Sequence, residues 1–126
     1  MLQARFWRIL AIVVAAGIVI LSLIPKPPEI PVGFHYGDKL AHFIAYLVLS
    51  FLVFTSLYVE KRGSTALSTV LTVSALCLFY GGLIEILQMF FGRQAELLDL
   101  AADLIGAICG AFLGVGVLRR IRRKRA

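Results

Sequence analysis

Cysteine, proline and charge are all scarce in this sequence. Its 126 residues include two cysteines, Cys77 and Cys109, which form no CxxC and no metal-type spacing. This excludes a recognisable thiol redox motif or cysteine-based metal site. The four prolines all fall within residues 25–37, which predicts a single exposed loop there, because proline removes backbone donors. Only 16% of the residues are charged, and long stretches carry no charge at all.

The abundant feature is apolar sequence. Sixty per cent of the residues are hydrophobic and the mean hydropathy is +0.93, which is far from a soluble composition. Four apolar runs are long enough to cross a bilayer, so the sequence predicts an all-α, polytopic membrane bundle of four transmembrane helices in one domain, residues 1–126. The predicted helices are about 6–24, 38–59, 66–91 and 97–118, followed by a basic tail, 119–126. The first is interpreted as an uncleaved, peripheral signal anchor, because no small-x-small cleavage site follows it.

Orientation follows from the lysines and arginines. With both termini in the cytoplasm, ten of these residues lie inside and three, Lys26, Lys39 and Arg93, lie outside. The positive-inside rule therefore predicts N-in and C-in, in a cytoplasmic (inner) membrane. The net charge of +6 comes mostly from the tail, which is typical of an anchor on anionic lipid and not of a nucleic-acid site.

Polar residues inside the predicted spans gather at one depth. His42, Glu85 and Asp103 lie about 6–9 Å from the outer ends of three different helices. Because such residues are costly in a membrane, their coincidence predicts one outward polar pocket. The alternatives give these side chains structural roles only. Asp38 would cap the start of its helix, and Glu85 would form a structural hydrogen bond with a neighbouring helix. The candidate ligand-binding residues are Asp38, Lys39, His42, Tyr46, Glu85, Gln88, Arg93, Asp99 and Asp103.

A stripe of small residues continues along the fourth helix. Gly106, Gly110 and Gly114 recur every four residues, which predicts close packing against another helix of the same bundle, with homodimerisation as the alternative. The residue pattern predicts no cofactor and no metal site, because one histidine among acids forms no recognised metal motif.

The polar residues also resemble a known family. Over about residues 20–118, the order and spacing of these residues are similar to those of the VanZ-like membrane proteins. The matching residues are Asp38-Lys39-x-x-His42-x-x-x-Tyr46, Glu85-x-x-Gln88, Arg93, Asp99 and the glycine stripe. The family usually has asparagine where this chain has Asp103, which adds a charge. The resemblance implies a bacterial envelope protein, in a family named after a protein linked to teicoplanin resistance, with no agreed biochemical activity.

Several functions fit these residues. The preferred one is a pocket that binds or modifies an anionic, lipid-linked envelope ligand, with Lys39 and Arg93 holding the anion. Glu85, His42 and Asp99 would then orient the ligand or exchange protons. The alternatives are a metal-dependent lipid phosphate hydrolase, a small oligomeric transporter and a structural subunit of a membrane complex, and enzymatic activity stays open.

Overall fold

The computed structural model describes residues 2–24, 37–60 and 64–126. It contains four α-helices, α1 (Leu2–Leu23), α2 (Gly37–Glu60), α3 (Ala66–Phe90) and α4 (Leu97–Arg125). All four are long and apolar enough to cross a membrane, and the described residues form no strand. The prediction of an all-α bundle of four transmembrane helices is therefore confirmed. Residues 25–36 of the loop predicted over 25–37, and residues 61–63 between α2 and α3, lie outside the described residues.

Two helices extend four or more residues beyond the bounds that the sequence predicted. Helix α1 begins at Leu2 instead of residue 6, and α4 continues to Arg125 through the predicted basic tail. Hydropathy marks only the apolar part of a helix. Arginine and lysine are good helix formers, and extending an existing helix needs no new nucleus. The basic last turn of α4 also complements the negative end of the helix dipole.

Helix α2 is the centre of the bundle and contacts the other three helices. Its most extensive contact is with α4, because the small residues of α4 let the two backbones approach closely. Helix α1 packs on α2 and α3 and is otherwise mostly exposed. The glycines Gly106, Gly110 and Gly114 lie against Phe43, Leu47 and Phe54 of α2, in that order.

The bundle has two chemically different ends. The polar end consists of the last turn of α1, the first turns of α2 and α4, the last turns of α3 and the turn between α3 and α4. The arginine end consists of the opposite termini, with Arg5 and Arg8 of α1, Glu60 of α2 and the basic last turns of α4. Helix residues between the two ends carry no acidic, lysine, arginine or histidine side chain.

Candidate functional site at the polar end

The turn between α3 and α4 is fixed by a left-handed glycine. Gly92 has a φ of +74°, which glycine adopts without steric cost. The amides of Phe91 and Arg93 both donate to the Gln88 carbonyl at 3.0 Å, as at many helix C-termini. The turn therefore sends the Arg93 side chain back toward α1 while α4 starts beside α2.

The centre of the polar end is a pair formed by His42 of α2 and Asp103 of α4. The imidazole Nδ1 lies 2.8 Å from Asp103 Oδ1, and Nε2 lies 3.8 Å from Asp99 Oδ2. Asp103 is 1% exposed. Against an ionised carboxylate, Nδ1 is the donor, so Nε2 is the nitrogen left for other chemistry. The pair fixes the ring orientation of His42.

Lys39 lies one turn before His42 and is enclosed by carboxylates. Its Nζ is 3.0 Å from Asp99 Oδ1 and also forms an ion pair with Glu96. Two acids thus already neutralise this ammonium. The expectation that Lys39 helps to hold an anionic ligand stays a prediction, because its charge is already used by these two pairs.

Apart from Asp99 Oδ1, which pairs with Lys39, two buried side chains of the polar end keep polar atoms without partners among the described residues. Glu85 accepts a 3.0 Å hydrogen bond from the Glu96 amide at Oε2, while its Oε1 has no hydrogen-bond partner among the described residues. The Tyr46 hydroxyl also has none, although the residue is 1% exposed. Buried polar groups without partners are uncommon and costly. Both groups therefore mark a place where the polar end has unused binding capacity.

The last turn of α1 supplies a main-chain acceptor. The Ser22 carbonyl accepts hydrogen bonds from Gln88 Nε2 at 3.1 Å and from Arg93 Nη1 at 2.5 Å. Carbonyls in the last turn of a helix have no partner within that helix, so they are available to such side chains. This contact ties α1 to the site. The Ser22 carbonyl is neutral, so this hydrogen bond uses one guanidinium nitrogen of Arg93 without neutralising its charge.

A pocket of about 280 Å³ opens between α1, α2 and the end of α3. Its polar lining comes from Ser22 and from candidate ligand-binding residues that the sequence predicted. Its apolar lining comes from the end of α1, the residue after it and α2. The polar residues are Ser22, Asp38, His42, Tyr46, Gln88 and Arg93. The apolar residues are Ile18, Leu21, Ile24, Ala41 and Ala45.

The structure places all nine candidate residues at the polar end, but in two layers. Five line the pocket, namely Asp38, His42, Tyr46, Gln88 and Arg93. The other four, Lys39, Glu85, Asp99 and Asp103, are not part of its lining. His42 joins the layers, since it lines the pocket and contacts both Asp99 and Asp103.

Sequence reasoning missed two members of the site. The Ser22 carbonyl is a main-chain group, and no side-chain pattern reveals it. Glu96 is not among the candidate residues, yet it pairs with Lys39, and its amide donates to Glu85. Its position three residues before Asp99, at the start of α4, was the available signal, because that spacing puts both acids on one side of the helix start.

Two groups of side chains bring metal-ligand atoms close together. In the first, one atom each from His42, Glu85 and Asp103 lies within 4.8 Å of the others. In the second, the same holds for Asp38, His42 and Asp99. The acids that looked scattered along the chain are therefore clustered around a single imidazole. Imidazole and carboxylate ligands suit several divalent metal ions.

Comparison with known proteins now adds to this geometry. A model of the family described as VanZ/LLP1 matches residues 3–119 of the chain. The chain belongs to the VanZ family. This confirms the resemblance seen in the polar residues, over more of the chain than those residues covered. No curated protein and no solved structure matches the chain. The VanZ chain is thus a multi-pass helical membrane protein.

A larger groove of the VanZ chain lies at the arginine end. It measures about 1130 Å³, and its lining includes Trp7, Tyr58, Arg122 and Arg125. Arg122 stacks over the Tyr58 ring, 5.2 Å from its centroid. The described residues that line the groove include no carboxylate and no histidine. The larger groove therefore lacks, within the described part of the chain, the acid, base and metal-ligand groups of the polar end.

Proposed function

We propose that this VanZ family protein binds the anionic headgroup of an envelope lipid, or of a lipid-linked precursor, in the pocket at the polar end. The observation that carries the proposal is the position of Arg93. Its guanidinium lines the pocket and donates to the neutral Ser22 carbonyl, and no described carboxylate forms an ion pair with it. Its charge and its remaining donors are thus available to a phosphate or carboxylate, which arginine can bind through two parallel hydrogen bonds.

The pocket has the two-sided lining that an amphiphile needs. Ile18 and Leu21 of α1 form an apolar wall, and His42, Gln88 and Arg93 form a polar one. Its volume of about 280 Å³ is at the small end for ligand sites, which suits a headgroup and not a whole lipid. The acyl chains would stay in the bilayer beside the exposed side of α1.

We propose further that the polar end faces the outside of a bacterial cytoplasmic membrane. The positive-inside rule supports this, because the basic last turns of α4 lie at the opposite end of the bundle. In that orientation the pocket is level with the headgroups of the outer leaflet. A link to teicoplanin resistance would be one consequence of binding an envelope precursor there, and it rests on the family resemblance alone.

Native mass spectrometry of the gently extracted protein tests the proposal. Wild type should retain a specific anionic lipid, and Arg93→Ala should lose it. Arg93→Lys, which keeps the charge without the planar fork, should retain an intermediate amount. Arg8→Ala is the matched control, since it removes an arginine at the other end of the bundle. Equal retention of bulk lipids by all four proteins would contradict the proposal.

The same experiment separates the alternatives. A structural subunit predicts that Arg93→Ala accumulates poorly in the membrane and that wild type retains a protein partner instead of a lipid. An oligomeric transporter predicts a complex of several copies and a polar path through the bilayer. The described helices give that path little support. Ser50 and Thr55, between the two ends, donate to carbonyls of their own helix.

A further inference from the structure

We infer that His42, Glu85 and Asp103 bind one divalent metal ion behind the pocket. The three residues come from α2, α3 and α4, and one ligand atom from each lies within 4.8 Å of the other two. Ligands of a single ion with bonds of about 2.0–2.2 Å stand about 3–4 Å apart, so small adjustments suffice. Glu85 is 6% exposed and Asp103 is 1% exposed. The site is therefore enclosed by the bundle.

The donor set indicates the class of metal. One imidazole nitrogen and two carboxylate oxygens suit Mn²⁺, Zn²⁺ or Fe²⁺ better than Ca²⁺, which takes six to eight oxygens, or Cu⁺, which prefers sulfur. Cys77 and Cys109 belong to neither group of clustered ligands. With three protein ligands, such an ion keeps coordination positions for water or for an oxygen atom of a bound ligand.

Two orphaned polar groups point independently to a bound ion with its water. The Tyr46 hydroxyl has no hydrogen-bond partner among the described residues and is buried beside Asp103. Both the hydroxyl and Asp103 Oδ2 come within 3.4 Å of the place where a Cβ on Gly81 would stand. A metal-bound water would give Tyr46 its missing partner. Glu85 Oε1, likewise without one, would gain the metal or that water.

Charge favours the same conclusion. Lys39 is paired with Glu96 and Asp99, and His42 with Asp103, so no described cation pairs with Glu85. A buried carboxylate without a counter-charge is costly and either takes up a proton or binds a cation. A divalent ion bound to neutral His42 would replace the proton that Nδ1 shares with Asp103, and it would balance the charges of Glu85 and Asp103. The second ligand group is the weaker candidate, because its Asp99 already pairs with Lys39.

The metal site extends the proposed function. It rests on that function in one respect, because the anion that completes the coordination of the metal would be the lipid headgroup. His42 provides the connection, since its ring lines the pocket and also belongs to the ligand group. The test therefore measures metal and lipid separately. A wild type that retains the lipid but binds no metal would refute this inference alone. A wild type that binds the metal but retains no specific lipid would refute the proposed function.

The experiment titrates the purified, chelator-stripped full chain in detergent with Mn²⁺ and reads bound ion by electron paramagnetic resonance. Zn²⁺, counted by elemental analysis, is a second probe. Wild type should bind one ion per chain. Glu85→Gln can still accept the hydrogen bond from the Glu96 amide. Its metal affinity should fall about 100-fold, because losing a direct ligand costs at least as much as the 10–100-fold lost with an outer-shell partner. Glu60→Gln, the same change at the arginine end, should bind like wild type.

Folding is checked in the same samples by circular dichroism and thermal unfolding. Mn²⁺ should raise the unfolding temperature of wild type and of Glu60→Gln, while the temperature of folded Glu85→Gln should not change. Three results would overturn the inference. They are no stoichiometric binding of Mn²⁺ or Zn²⁺ to wild type, unchanged binding by Glu85→Gln, and loss of binding in Asp38→Asn, which would assign the metal to the other ligand group.

Discussion

The two ends of the bundle use charge in different ways. At the arginine end, Arg8 and Glu60 form an ion pair whose side chains are 50% and 51% exposed. At the polar end, the His42–Asp103 pair is 12% and 1% exposed. Solvent screens the first pair, so it costs little and contributes little. Removing the second pair from water costs several kcal/mol per ion.

This difference teaches where function is to be sought. Exposed basic residues at a helix end serve topology and contact with anionic lipid, and any such residue can be exchanged for another. Buried ionisable groups are kept only where the surrounding residues hold them in place, and in membrane helices they mark functional sites. Cavity size alone would have favoured the larger groove at the arginine end, whose described lining contains no acid and no histidine.

The largest expected difference between the ends is in stability. Asp103→Ala removes the buried partner of half-buried His42 and should lower the free energy of unfolding by up to about 3–5 kcal/mol. Glu60→Ala breaks an exposed pair and should lower it by less than about 1 kcal/mol. Equilibrium unfolding of both variants in the same detergent makes the comparison. Equal losses would mean that burial does not distinguish the two ends.

The packing of α4 on α2 predicts an intermediate effect. A Cβ on Gly106 would collide with the main-chain carbonyl of Phe43, which cannot move without separating the helices. Gly106→Ala should therefore cost about 1–3 kcal/mol of stability. The control is Gly116→Ala on the same helix, where a Cβ meets nothing within 4 Å. This variant should gain about 0.5–1 kcal/mol from the better helix former. A loss of stability in both variants would contradict the packing of α4 on α2.

The smallest expected effect is the coupling between Arg8 and Glu60. A double-mutant cycle with alanine at both positions should give about 0.2–1 kcal/mol. The value should fall as salt is added, because both side chains are half-exposed. The same cycle on His42 and Asp103 should give a larger coupling that salt hardly changes. A salt-independent coupling at Arg8 and Glu60 would show that the arginine end is not screened as proposed.

Much of the fold follows from the sequence, because the bilayer imposes a simple rule. An apolar run of about 20 residues must become a helix, and counting 1.5 Å per residue from its end gives the depth of each polar residue. That counting put His42, Glu85 and Asp103 in one layer. Contacts between helices are a different matter, since they depend on rotation and register. Hence the ion pairs of Lys39 and the Ser22 carbonyl became visible only in the structure.

The most direct test of the proposed pocket is photocrosslinking in living cells. A benzophenone side chain at Leu21, in the lining of the polar-end pocket, is compared with one at Val117, in the lining of the arginine-end groove. We predict that position 21 captures one class of anionic lipid and loses it when Arg93→Ala is added, while position 117 captures bulk lipid in both backgrounds. Capture of the same bulk lipids at both positions, unaffected by Arg93→Ala, would contradict lipid binding at the polar end.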